Sequence, residues 1–144
     1  MPVFKDLSRQ EKDQLIRFPV YLSLLAASKD YLLDRKEKHS VVHLTHIKTF
    51  ACDPVLADYY AEVDKDFESA ILESTNRLPL DKEQREIAIK RELGKLETLL
   101  RKLDIDYAIR MRYSLRAYKD HVSKAHRNVL EYFLFPLPIG GITD

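Results

Sequence analysis

An all-α fold is predicted for this 144-residue chain, a single bundle of six or seven helices over residues 1–144. Three observations predict it. Only three glycines and six prolines punctuate the sequence, too little turn chemistry for a many-stranded β fold and enough for long helices on short connections. Helix-start signals recur at Ser8, Asp53 and Asp81. Between them apolar residues return at steps of three and four, the spacing that gives a helix one buried face. With 45% hydrophobic and 33% charged residues, the composition is that of a globular domain able to bury a core.

The elements follow in order. Ser8-Arg9-Gln10-Glu11 reads as a capping box, in which the serine hydroxyl takes an orphan N–H and the glutamate reaches back to the cap. Leu15, Ile16, Leu22 and Leu25 continue at helical spacing. Pro19 lacks an N–H and its ring crowds the preceding turn. A kink is therefore expected, or a short helix to Phe18 followed by a second over 19–29. Asp34 is placed to cap a helix over 35–51, with Val41, Leu44 and Ile47 on one stripe. Asp53-Pro54 pairs a cap with proline at the first helical position. It opens a helix to about Asn76, with Leu56, Tyr60, Val63, Phe67 and Ile71 inward. Residues 77–80 form a linker. Asp81 starts the next helix, in which Ile89, Leu93, Leu96, Leu100 and Leu103 make a short coiled-coil-like seam that suits packing inside a bundle. A break near 104–106 leads to a helix through Lys119, a second break at 120–123, and a last helix to about Leu134. The tail over 135–144, with two prolines and two glycines, is expected to lie along the bundle.

The two ends can be aligned as similar helical units. Leu25-Ala26-Ala27-Ser28-Lys29-Asp30 is in phase with Leu115-Arg116-Ala117-Tyr118-Lys119-Asp120, and each is followed by an expected break and a further helix. In the first unit Pro19 opens the apolar helix, and Ala27, Asp30, Leu33, Asp34 and Glu37 follow at fixed spacing. This pattern resembles the repeat of the TerB-like (tellurite-resistance and stress-response) helical family over residues 8–50, and more faintly over 105–139. Tyr31 stands at the family's glycine, and Arg127 where the second copy's glutamate would fall. The resemblance implies a non-enzymatic scaffold or stress-associated protein that works through protein contacts or self-association. It also implies acidic surface sites of the kind Asp30, Asp34 and Glu37 would form.

Read on their own, Asp34 and Glu37 are explained by helix capping and the macrodipole. The functional alternative is convergence of Asp30, Asp34 and Glu37 on a divalent cation, although neither the carboxylate density nor the loop glycine of an EF-hand is present. His39, His43 and His46 fall at i, i+4 and i+7, so they project on one side of a helix and offer a second candidate metal set. No glutamate lies between them to act as a base, which argues against hydrolase chemistry. A single cysteine, Cys52, excludes an internal disulfide and a cysteine-based zinc site.

Charge is distributed unevenly although the net value is +1. Residues 77–127 hold 14 Lys/Arg against 8 Asp/Glu, and residues 1–76 hold 10 against 13. Arg112, Arg116 and Lys119 share one helix face, with Tyr113 and Tyr118 nearby. Basic groups interleaved with aromatics are one route to nucleic-acid binding, and pairing at i, i+4, as for Glu86 and Lys90, is the plainer use of such charges. The N-terminal residues have no apolar stretch of a signal peptide, and no apolar run approaches the ~20 residues of a membrane span. A cytoplasmic, non-membrane protein is the expectation.

Overall fold

The computed structural model describes residues 2–28, 47 and 50–134. Among the described residues the structure is helical and contains no strand. A 3-10 turn at Pro2–Phe4 precedes α1, Arg9–Ile16. The capping box at its start forms as expected: Glu11 N–H donates to Ser8 Oγ at 3.1 Å, and Ser8 N–H to Glu11 Oε1 at 2.9 Å. Arg17 alone separates α1 from α2, Phe18–Ser28. Pro19 is thus the second residue of α2, where a missing N–H would have had no intrahelical partner. The proline that interrupts the sequence pattern serves as a helix start.

Asp53 caps a 3-10 turn at Pro54–Leu56 through Val55 N–H at 3.0 Å. α3, Ala57–Lys65, and α4, Phe67–Arg77, follow. The expected single helix to Asn76 is therefore divided at Asp66, a weak helix former whose φ of −117° and ψ of 18° leave the helical region. Asp81 caps α5, Lys82–Leu93, by accepting from Gln84 N–H at 2.9 Å. Gly94 and Lys95 then separate α5 from the short α6, Leu96–Leu100, so the leucine seam is interrupted at its middle. Ile89, Leu99, Leu100 and Leu103 reach the core, while Leu93 and Leu96 remain half-buried.

Gly94 is right-handed, at φ −64° and ψ −14°, and a Cβ there would meet only Arg91 and Lys90 carbonyls at 3.4 Å. Nothing in the native backbone requires glycine. Gly94→Ala is expected to stabilise the protein by about 0.5–1 kcal/mol by removing freedom from the unfolded chain. Urea denaturation reads this, and a lower midpoint would refute it.

The last helix, α7, Ile105–Leu134, is continuous. This corrects the expected break at 120–123. No glycine or proline lies in the segment, Asp120 is exposed in the helix, and the core side chain Val122 is fully buried on it. The modest helix propensity of Asp120 is outweighed by that burial. The acidic loop of the proposed second unit is therefore absent, and its expected counterpart after Ser28 lies outside the described residues.

The helices pack around α2, which meets α7, α5, α4 and α1. Its residues 18–20 and 22–25 are all buried, the signature of a helix apolar on every side. Three buried hydroxyl contacts fix its surroundings. Ser23 Oγ and Tyr118 Oη lie 2.8 Å apart between α2 and α7. Tyr60 Oη and Ser114 Oγ do the same at 2.8 Å between α3 and α7. Tyr59 Oη donates to the Leu15 carbonyl at 2.7 Å, satisfying an orphan acceptor at the end of α1. Phe50 stacks into this layer, its ring 5.1 Å from Tyr118 and 5.4 Å from Tyr60.

Candidate functional site, a basic groove along the last helix

The outward side of α7 is unusual in composition. Its inward stripe, Tyr107, Met111, Ser114, Leu115, Tyr118 and Val122, is buried against the core. One flank of that stripe is not covered, and on it stand Ile105, Ile109, Arg112, Arg116 and Lys119, which fall within a narrow arc at 100° per residue. Ile105 is 75% exposed and Ile109 is 41% exposed, although both are large apolar residues.

Two clefts lie along this flank and share Arg112. The first, of about 230 Å³, is floored by Phe18 and Leu22 of α2, Leu93 and Leu96 at the α5–α6 junction, and Leu115 of α7. Arg112, Arg116 and Lys119 form its rim. The second, of about 270 Å³, lies between Leu100, Arg101 and Leu103 on one side and Ile105, Ala108 and Ile109 on the other. Together they make an open groove between α7 and the α5–α6 arm. Fourteen residues separate Ile105 from Lys119, so the groove runs for about 21 Å.

The interruption at Gly94 and Lys95 contributes to this site. A straight helix through 82–103 would carry Leu93 and Leu96 on the seam with their neighbours. The turn instead leaves both half-buried, lining the first cleft.

Electrostatics differ along the rim. Arg112 donates from Nε and one terminal nitrogen to the two carboxylate oxygens of Glu97, at 2.9 and 2.8 Å, a bidentate fork. This holds the Glu97 carboxyl below its ordinary value and raises Arg112. Both side chains are substantially exposed, 40% for Arg112 and 55% for Glu97, so the pair contributes little to folding. Among the described residues Arg116 and Lys119 have no acidic partner. The Arg116 guanidinium lies 6.0 Å from the centroid of the Tyr113 ring, which is itself 66% exposed.

The three basic residues expected to share a face do so. Tyr118, expected near them, is instead fully buried and bonded to Ser23. Glu86 and Lys90 form no ion pair, but Arg77 pairs with Glu73 at i, i+4 as such charges were expected to, and other cations bind across helices, as Arg110 does to Asp53 at 2.8 Å, Lys102 to Glu11, and Arg17 to Glu73 at 3.4 Å. The candidate metal residues Asp30, Asp34, Glu37, His39, His43 and His46 lie outside the described residues. Among the described residues no group of three or more His, Cys, Asp or Glu side chains gathers around a common point, and no helix is long and apolar enough to cross a membrane. Sequence reasoning missed the apolar floor and Glu97. Ile105 and Ile109, apolar residues outside the inward stripe of their own helix, were the available signal.

Comparison of the chain with protein-family models, with curated proteins and with solved structures finds no match.

Proposed function

We propose that this chain is a non-enzymatic helical interaction module that engages a partner protein through the groove along α7. The observation that carries the reading is the groove itself, two apolar-floored clefts in line along about 21 Å of α7 that meet at Arg112, beside three cations, two of which have no acidic partner among the described residues. Exposed apolar residues rimmed by charge are the usual composition of a protein contact surface. The TerB-like resemblance of residues 8–50 points to the same class of function. The ion readings at Asp30, Asp34 and Glu37, and at His39, His43 and His46, rest on spacing alone, and elemental analysis of gently purified protein decides them.

Site-specific photocrosslinking in cells tests the reading. A photoreactive residue at Ile109 is expected to give a discrete protein adduct. The same residue at Leu80, 94% exposed on the α4–α5 connection, is expected to give none. Adducts of equal yield at both positions, or at neither, would count against the groove as a contact surface.

A second reading is favoured by one observation. Arg116 beside the exposed ring of Tyr113 is a platform on which a nucleic-acid base can stack while Arg112 and Lys119 meet phosphates. Steeply salt-dependent binding of a single-stranded oligonucleotide, lost in Tyr113→Ala, would be its signature.

A further inference from the structure

The chemistry of the groove narrows what fits it, and this inference rests on the groove being the contact surface. One of its three cations already shows the ligand it takes. Arg112 grips the carboxylate of Glu97 with both arms of its guanidinium. Glu97 comes from α6, whose Leu96 and Leu100 line the two clefts, and its carboxylate is held by Arg112, the residue that the clefts share. Arg116 stands one turn further along α7, about 6 Å on by helical rise, and Lys119 about 4.5 Å beyond that. They repeat the cationic position without the carboxylate.

We propose that the groove receives an amphipathic helix of a partner protein that bears carboxylates one turn apart, and that Glu97 is the intramolecular stand-in for one of them. Two features argue for a helix as the occupant. The cations along α7 follow the turn spacing of a helix, and a helix lying parallel or antiparallel to α7 presents its own side chains at the same interval. The floors of the two clefts are apolar and together span about four turns of α7, which calls for a complementary apolar stripe and not for an extended polar chain. Charge complementarity then requires acids on the margin of that stripe that faces α7. Glu97 limits the affinity of the free groove, because the partner's carboxylate must displace it from Arg112 or leave that cation to it. An exposed pair is displaced readily, so the device tunes specificity more than it blocks binding.

The test uses a labelled designed peptide of about sixteen residues, matched to the groove length. It carries leucines on one helical face and glutamates one turn apart along one margin of that face. A scrambled peptide of the same composition and helicity, and a single-stranded oligonucleotide, are the comparisons. Fluorescence anisotropy is expected to show saturable binding of the amphipathic peptide only. Arg116→Glu with Lys119→Glu is expected to weaken it about tenfold or more, and Glu97→Gln to strengthen it about two- to fivefold. All three substituted positions are on the surface, and matching thermal melts show that the variants are folded. Equal binding of the scrambled peptide, weaker binding by Glu97→Gln, or tighter binding of the oligonucleotide would overturn the proposal. If the peptide fails while crosslinking from Ile109 still yields its position-specific adduct, the carboxylate ladder falls and the groove remains the contact surface.

Discussion

At pH 11 the protein is expected to have lost on the order of 4 kcal/mol of the folding stability it has at neutral pH. The cause is the tyrosine layer. Tyr59 and Tyr118 are fully buried and Tyr60 is nearly so. Burial pushes all three phenols well above their ordinary value of 10.0, because a phenolate at these positions would be stripped of water. In the unfolded chain the same phenols ionise normally. Their native pKa values are raised, so the stability they confer is complete below pH 10 and is lost as pH rises towards the native values. Each contributes about 1.4 kcal/mol per pH unit above the unfolded pKa. Tyr107, pushed up to about 12, acts in the same direction. Against a typical total of about 5–15 kcal/mol, a loss of about 4 kcal/mol per pH unit places the alkaline unfolding transition above about pH 11. Phenolate absorbance and far-ultraviolet circular dichroism, followed together, check this. The late fraction of the eight tyrosines should ionise in step with loss of helicity. Complete ionisation near pH 10 with helicity intact would contradict it.

Tyr118→Ala is expected to be among the most damaging single substitutions, at about 3–5 kcal/mol. The ring is fully enclosed and holds together the Phe50 contact, the wall of α2 and the inward face of α7. Two smaller changes separate packing from polarity. Tyr118→Phe leaves Ser23 Oγ, also fully buried, without its partner, and Ser23→Ala leaves the phenol without its own. Each is expected to cost about 1–3 kcal/mol. The double variant removes both polar atoms and is expected to cost clearly less than the sum of the singles. Urea denaturation of the four proteins completes the cycle, and strict additivity would show that the two hydroxyls are not coupled.

The helix starts were legible because they are local. Ser8 with Glu11, Asp53 with Pro54, and Asp81 each announce a cap within four residues, and each cap forms. The breaks were less legible. Asp66 and Asp120 are the same residue type, yet one divides two helices and the other sits inside α7. The difference is not local: a buried side chain closely follows each of them, Phe67 after Asp66 and Val122 after Asp120, so residue type does not separate the two and the wider packing decides. The candidate site divides in the same way. Arg112, Arg116 and Lys119 share a face by helical arithmetic alone. Their apolar floor draws on Phe18 and Leu22, roughly ninety residues away in the chain, and no spacing rule connects the two.

The position of α2 also constrains how the chain is made. This helix presents apolar side chains in every direction, and its largest partner is α7. A ribosome that has just released residue 28 must add more than ninety residues before Val122 emerges. At about 5–20 residues per second, that leaves α2 without its cover for about 5–20 seconds. For that interval the side of α2 that α7 will cover stays open, even as α4 and α5 emerge to join α1 on its other sides. Substitutions that weaken the docking of α7 should therefore lower soluble yield more than their equilibrium cost implies, and overproduction of a holdase chaperone should restore part of it.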